Sequence, residues 1–474
     1  RAGMVVMTAD DPSCHSSQSE QDNRYYAKLG LLPMLEPSSP AEARDMVVEA
    51  YRISELLSVP VILRTTTRVN HARGVVDLHK APRPVAKSTF EKDPKRFVTV
   101  PANARTLRIE QLKRMEHALK LSETSTLNHI IGTTSRLGVI ASGVSFTYAR
   151  EWLNDVEILK LGFTSPVPEE KVRKFLASKE KVVILEELEP YLEDEVRRIA
   201  QQYHLNVDIL GKRTGHLPRA FEYSPDLILS LKDILPVKSE RLPVSQPDTP
   251  LPPRPPVLCA GCPHRASFYA AKKAAGPKGA IYSTDIGCYT LGVQPPMQCA
   301  DLTLCMGSSI GAAGGFAQVT DQKVIAFIGD STFFHAGIPP LINAVYNKHD
   351  FVLVILDNRT TAMTGHQPNP VRTVDPYDLK TTVEAMKEAV AHDGMSVVIA
   401  EHPCPLLKRK EGKLTRSVYG IDQDKCVRCY TCVSRLSCPA ISKDGENVVI
   451  DVTMCIGCGV CAQVCPKGAI GVRE

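Results

Sequence analysis

The sequence predicts a multidomain α/β protein, with parallel sheets flanked by helices and a small α+β cysteine-rich domain at the C-terminal end. Three observations carry that prediction. Short apolar runs of strand length, such as residues 324–328 and 351–356, alternate with helical stretches, as a parallel sheet with crossover helices requires. Eight prolines (236, 243, 247, 250, 252, 253, 255 and 256) interrupt the chain where neither a helix interior nor a central strand tolerates them. Eight of the fifteen cysteines follow residue 425.

The bulk properties narrow the class further. At roughly 150 residues per domain, 474 residues suggest about three domains. The 57 basic and 52 acidic side chains nearly cancel, so the net charge of +5 gives no reason to expect nucleic acid. No apolar run approaches the ~18–20 residues of a spanning helix, so no membrane is expected. There is no secretory leader and the cysteine spacings are short, which favours metal or cluster ligation in a reducing, cytoplasmic compartment over a disulfide framework. The chain opens at Arg1, without methionine and directly into a strand-like segment, so an upstream segment is expected.

Taken in order, residues 3–8 read as a strand. Ser39-Pro40-Ala41-Glu42 reads as a capping box, starting a helix to about Leu57 that leads into a strand at residues 60–63. A second α/β unit has strands at residues 137–141 and 182–185 and a helix at about 193–203. Strands are expected at residues 280–283, 324–328 and 352–356, with a Gly/Ala-rich helix from Gly307 packing closely on a flat neighbour or facing a cofactor. A charged connector at residues 408–413 leads into the tail and reads as a solvated linker or a basic rim for an acidic redox partner.

The tail holds the strongest chemical signal. Cys426-x2-Cys429-x2-Cys432-x5-Cys438-Pro439 and Cys455-x2-Cys458-x2-Cys461-x3-Cys465-Pro466 form the two-cluster bacterial ferredoxin pattern. Thiolates at this spacing wrap iron–sulfur cubanes, and the fourth cysteine of each run ligates the other run's cluster. Cys426, Cys429, Cys432 and Cys465 are thus assigned to one 4Fe-4S cluster, and Cys438, Cys455, Cys458 and Cys461 to the other. Paired zinc sites are the rival, but zinc needs only two Cys-x2-Cys pairs.

A second signal is Gly329-Asp330-Ser331 at a strand end, with Asn358 28 residues after the aspartate at the next strand end. Ligands gather at strand ends of α/β sheets. A carboxylate and an amide carbonyl are hard oxygen ligands suited to Mg²⁺, which would neutralise a diphosphate. A Gly-Asp pair is otherwise an ordinary turn.

Together these motifs resemble the thiamine diphosphate signature and, with the tail, the 2-oxoacid:ferredoxin oxidoreductases. Further stretches, 9–12, 15–18, 20–24, 63–68, 304–307 and 329–335, resemble the large (alpha) subunits of the indolepyruvate ferredoxin oxidoreductases. The resemblance implies a pyrimidine-binding domain at 1–95, a transketolase-C-like domain at 96–235, a linker at 236–256, a pyrophosphate/Mg-binding domain at 257–407 and a 2×4Fe-4S ferredoxin domain at 408–474. It implies thiamine diphosphate near Gly329, Asp330, Ser331, Asn358 and Thr360, with Mg²⁺ on the Asp330 and Asn358 side chains and the Thr360 carbonyl. It also implies oxidative decarboxylation of aryl pyruvates such as indole-3-pyruvate, with coenzyme A taking the acyl group, electrons leaving through the clusters to ferredoxin, and a smaller beta subunit as partner. The family's activating glutamate would lie upstream of Arg1. The alternatives are another 2-oxoacid:ferredoxin oxidoreductase, a non-oxidative thiamine enzyme, and an electron-transfer subunit with a vestigial thiamine site.

Cys259, Cys262, Cys288 and Cys404 resemble a proximal 4Fe-4S site beside the thiamine, a possible third cluster; buried or turn cysteines are the alternative. Cys14, Cys299 and Cys305 read as core or pocket residues. His335 is a candidate substrate-facing or proton-transfer group, or a structural one. His15, Ser16 and Gln18 form either a loop touching the reacting centre or a capped surface turn. Glu186 and Glu187 read as a solvated or interface pair rather than an acid/base dyad. Phe333, Phe334 and Tyr289 read as core or as an aromatic substrate pocket.

Overall fold

The computed structural model describes residues 3–77, 90–238, 255–368, 375–393, 396–412 and 417–473, and the chain divides into two compact units, residues 1–246 and 247–474. Most of the proline-rich linker, residues 239–254, and the last residue of the charged connector, Lys413, lie outside the described residues.

The first unit contains two sheets. In one, Val5–Asp10, Val61–Thr66 and Met34–Leu35 run parallel, and Phe163–Ser165 closes the edge antiparallel. The other has the order Asn128–Gly132, Glu157–Leu161, Leu137–Ala141, Lys181–Leu185 and Asp208–Leu210, parallel except at its first strand. One hydrophobic cluster includes Met34 and Ile62 together with Ile140, Leu159 and Ile184, so the two sheets share a core across residue 95.

Local sequence explains the main helix of this unit. Pro40–Leu57 starts where Pro40 fits the first helical position, and Ser39 Oγ accepts from Glu42 N at 3.3 Å. The Glu42 carboxylate reaches one residue further back than a full capping box would, accepting from Ser38 N at 2.8 Å, and it also pairs with buried Lys160. Met46, Ala50, Ile53 and Leu57 form the buried stripe, at the three- and four-residue spacing of one helix face.

Of the two roles expected for Glu186 and Glu187, solvated or interface, the solvated one is overturned. Both are buried, at 1% and 4% exposure. Glu186 accepts from the guanidinium of fully buried Arg24 and from Leu192 N and Glu193 N, which caps the helix Tyr191–Gln202. Arg24 also donates to Asp22 and to the carbonyls of Glu187 and Glu189, both at 2.8 Å. Nearby Arg64 binds Asp10 at 2.7 Å and Glu36 at 2.8 Å. Glu186 is thus held by an arginine from the helix Arg24–Gly30, and the Glu187 carboxylate accepts from Tyr223 N at 3.0 Å, contacts between distant segments that strand and helix periodicity does not reveal.

The second unit is built on one fully parallel sheet, in the order Ile281–Ser283, Val324–Gly329, Val352–Asp357 and Ser396–Glu401. Its two central strands are buried throughout, as expected where helices cover both faces. Phe268, on the helix Pro263–Ala275, packs edge-on against Phe327 at 4.9 Å, a contact worth about 1 kcal/mol beyond its area. The tail adds two antiparallel pairs, Tyr419–Ile421 with Ile470–Val472 and Ile441–Asp444 with Asn447–Ile450. Its small core mixes cysteines with Leu436, Ile441, Val448, Val460 and Ile470.

No helix among the described residues is long and apolar enough to cross a membrane.

Candidate active site and iron–sulfur centres

The sheet of the second unit ends in carboxylates. Asp330 follows Val324–Gly329, Asp357 ends Val352–Asp357, and Glu401 ends the neighbouring strand in register with Asp357. Asp330 and Asp357 are 4% and 1% exposed, and one oxygen of each, Oδ2, has no hydrogen-bond donor. Burial first, and then the facing Asp357, push the Asp330 carboxyl up to about 7; Asp357 is raised as well, by burial first. Two abutting carboxyls with orphaned oxygens suit a hard cation, which would replace the missing donors.

Asn358 and Thr360 lie beside this pair, both buried. Asn358 Oδ1 accepts from Thr360 N at 3.2 Å. Between them Arg359 holds a left-handed backbone (φ 58°), unusual for a side chain of its size. Its guanidinium pairs with Glu401 and its N–H donates to Asp357 Oδ1 at 2.8 Å. The ion pair holds the turn that presents Asn358 and Thr360.

A cleft of about 400 Å³ opens here, lined by Gly329, Asp330, Ser331, Asn358 and Thr360 with His264, Cys288, Tyr289 and Met306. Tyr289 is buried and donates to Ile286 O at 2.8 Å. A Cβ on Gly329 would lie 2.7 Å from its ring, so glycine is required there by the tyrosine as well as by any approaching phosphate. His264 meets Tyr289 edge-on at 5.8 Å, and burial pushes its imidazole down to about 4, keeping it neutral.

His335 is exposed and does not line this cleft; it sits on a π-helical turn, Phe333–Gly337. Phe333 joins the hydrophobic core and Phe334 is half exposed, so only Tyr289 of the three aromatics reaches the cleft. The Gly/Ala-rich helix Ser308–Val319 is capped by buried Asp285, which accepts from Gly307 N at 2.8 Å and Ser309 N at 3.0 Å. Gly314 in that helix is the close contact, since a Cβ there would strike His349. His15, Ser16 and Gln18 form a surface turn: Asp11 accepts from Ser16 N and Ser17 N, and His15 reaches Glu222 at 3.2 Å. Of the cysteines read as core or pocket, Cys299 is buried, whereas Cys14 and Cys305 are exposed, against that reading.

The tail thiols separate into two groups. Cys426, Cys429, Cys432 and Cys465 line one cavity of about 380 Å³. Cys438, Cys455, Cys458 and Cys461 line another of about 500 Å³. Each cavity draws its fourth cysteine from the other run. Cys259, Cys262, Cys288 and Cys404 form a third group, whose thiols bear electrostatically on one another. Cys288 also lines the cleft, and Cys404 N donates to Asn358 O at 3.2 Å. Burial pushes Cys288 and Cys458 up to about 11 and Cys262 and Cys461 up to about 12, so ligation there would release protons. Among the described residues no three Cys, His, Asp or Glu side chains converge on a point suited to a single ion. A cubane asks for something wider, since each thiolate takes its own iron.

Residues 285–375 match the thiamine pyrophosphate enzyme, C-terminal TPP-binding domain, and residues 419–466 match a 4Fe-4S dicluster domain. The indolepyruvate oxidoreductase subunit IorA of Methanothermobacter marburgensis is 45% identical, across 99% of this chain and 82% of its own length. The chain belongs to the IorA family of 2-oxoacid:ferredoxin oxidoreductases. The IorA of Pyrococcus horikoshii is 40% identical across 100% of this chain and 82% of its own. The tail is also similar to pyruvate synthase subunit PorD of M. marburgensis, 39% identical across 16% of this chain and 88% of that one. As an IorA-family member the chain is a thiamine diphosphate-dependent oxidoreductase that carries iron–sulfur clusters.

No motif or spacing in the sequence points to His264, Glu401 or Arg359, whereas Asp357 belongs to the Asp357-Asn358 pair of the thiamine diphosphate resemblance.

Proposed function

We propose that this chain is the large subunit of a two-subunit enzyme that converts aryl pyruvates, indole-3-pyruvate foremost, and coenzyme A to the aryl-acetyl-CoA and CO₂. Two electrons pass one at a time to ferredoxin, and one proton is released. The observation that carries this reading is the juxtaposition within one unit of the cation-suited Asp330–Asn358 cleft and three four-thiol groups, one of which shares Cys288 with that cleft. Relatives named indolepyruvate oxidoreductase subunit IorA, 40–45% identical, support the aryl substrate.

Asp330, Asn358 and the Thr360 carbonyl hold Mg²⁺ in this reading, and Gly329 lets the backbone approach a diphosphate. Thiamine diphosphate, when bound, supplies the carbon nucleophile and electron sink for losing the carboxylate. The chain's own residues orient and enclose: Tyr289 and neutral His264 wall the cleft, and the Arg359–Glu401 pair fixes the metal-binding turn. Cys426, Cys429, Cys432 and Cys465 hold one 4Fe-4S cluster, Cys438, Cys455, Cys458 and Cys461 the second, and Cys259, Cys262, Cys288 and Cys404 a proximal third. Residues 1–95 and 96–235 would serve as the pyrimidine-binding and transketolase-C-like domains, 257–407 as the pyrophosphate domain and 408–474 as the ferredoxin domain.

The test is ferredoxin reduction by the enzyme assembled with its smaller subunit, against indolepyruvate, phenylpyruvate, pyruvate and 2-oxoglutarate, each with coenzyme A. Preference for the aryl acids supports the proposal, and preference for pyruvate or 2-oxoglutarate contradicts it. Asp330→Ala should abolish turnover while leaving the tail clusters reducible by dithionite.

A further inference from the structure

Tyr377 sits where three parts of the second unit meet. It lies in the turn Asp375-Pro376-Tyr377-Asp378, just before the helix Leu379–Ala391, which Asp378 caps through Thr381 N. Its hydroxyl donates to the carbonyl of Gly261, in the middle of the loop that carries Cys259 and Cys262. Its ring lies over the imidazole of His402, centroids 3.7 Å apart and planes 30° apart, two residues before Cys404. Its own carbonyl accepts from Gln463 Nε2 at 2.6 Å, and Gln463 Oε1 accepts from Leu379 N at 3.0 Å. Gln463 stands on the tail helix Val460–Val464, between Cys461 and Cys465.

The contact is tight from the other side too. Gly261 has a left-handed backbone (φ 66°), and a Cβ there would fall 2.1 Å from Ile456 Cδ1 and 3.6 Å from Cys458 Sγ. The thiols of Cys458, Cys262 and Cys404 all bear electrostatically on the phenol. One side chain thus touches the loop of the proximal thiols, the strand end that leads to Cys404, and the tail that carries the Cys438, Cys455, Cys458 and Cys461 group.

We propose that Tyr377 is the positioning residue that locks the Cys259–Cys262 loop onto the tail and provides the hydrogen-bonded route for electrons between the proximal cluster and the cluster of Cys438, Cys455, Cys458 and Cys461. This rests on the assignment of both thiol groups to 4Fe-4S clusters. In the step, one electron leaves the reduced proximal cluster and one enters the oxidised tail cluster. Tyr377 is neither oxidised nor deprotonated, and no bond to it forms or breaks. The phenol matters through its hydroxyl: the ring alone would satisfy packing against His402, whereas the hydroxyl bonds the cysteine loop, which Arg265 also ties to the tail by donating to Cys259 O at 3.2 Å and to Ser437 O.

The test uses the enzyme assembled with its smaller subunit, anaerobically, with Tyr377→Phe. Iron content and the extent of bleaching by dithionite should match wild type. Tail-cluster reduction by indolepyruvate and coenzyme A, followed by freeze-quenched electron paramagnetic resonance, should slow by up to about tenfold, the factor by which losing a hydrogen bond of ordinary net strength opens a contact. Full iron with a wild-type rate of tail reduction would overturn the proposal. If Tyr377→Phe loses iron, Gln463→Leu decides, since it frees the same segment without touching the cysteine loop; slowed tail reduction supports the proposal and a wild-type rate overturns it. About eight irons in the wild-type chain, rather than about twelve, would overturn it differently, by removing the proximal cluster, and the iron count tells the two failures apart.

Discussion

Gly329→Ala tests the geometry of the cleft with a single methyl group. A Cβ at this position would stand 2.7 Å from Tyr289 Cε1 and 3.2 Å from its hydroxyl, against the ~3.5–4.0 Å of an ordinary carbon contact. The ring has little room to retreat, because it is buried, edge-on to His264, and close-packed against Gly287. Overpacking of this kind costs about 1–3 kcal/mol. If the ring swings away, its 2.8 Å bond to Ile286 O breaks, adding about 1 kcal/mol. Since Asp330 follows directly, the displaced backbone should also weaken Mg²⁺–thiamine diphosphate binding by about tenfold, equivalent to about 1.4 kcal/mol. Chemical denaturation and calorimetric titration of Mg²⁺–thiamine diphosphate measure the two effects. A variant with wild-type stability and affinity would refute the assignment of Tyr289 and Gly329 to the wall of the site.

Other perturbations probe the rest of the chain. Arg24→Met removes the fully buried guanidinium and leaves Asp22 and Glu186 uncompensated, so the first unit should lose about 3–5 kcal/mol, read by denaturant titration; a loss below about 1 kcal/mol contradicts the network. Cys465→Ala should remove the iron held with Cys426, Cys429 and Cys432, and Cys438→Ala that held with Cys455, Cys458 and Cys461, each about four irons per chain; iron analysis and paramagnetic resonance would show uncrossed losses if the pairing is wrong. Burial lowers the Lys212 amine to about 8 despite Glu186 nearby. Between that pH and about 10.5 the unfolded chain keeps a proton that the folded chain has released, so stability should rise with pH by up to about 3 kcal/mol relative to Lys212→Met. Identical pH slopes in the two proteins would contradict this.

The parts of the site that a reader of the sequence can see are those fixed by spacing. The crossed cysteine sets are legible in the two repeated Cys-x2-Cys-x2-Cys runs, each followed by a fourth cysteine and a proline, and Asp330 and Asn358 in their place at the ends of apolar runs of strand length. The strands themselves were legible for the same reason, with residues 137–141 paired as expected and residues 324–328 extended only by Gly329. What escaped depends on which distant segments meet. Glu186 and Glu187 look like a surface pair until Arg24, some 160 residues earlier, is placed against them. Tyr377 looks like a turn residue until its hydroxyl finds Gly261 and its carbonyl finds Gln463. His264 carries no ligand spacing to the thiamine motif and reaches the cleft only because its helix packs beside Tyr289.

The most direct test of the account is anaerobic quantification of iron, sulfide and thiamine on the enzyme assembled with its smaller subunit, followed by addition of indolepyruvate and coenzyme A while cluster absorbance is recorded. An oxidoreductase with three clusters should hold about twelve irons per large subunit and one thiamine diphosphate, and its clusters should bleach only when substrate is added. Clusters that fill normally yet show no substrate-dependent bleaching would contradict it, leaving the chain an electron carrier with an idle thiamine site.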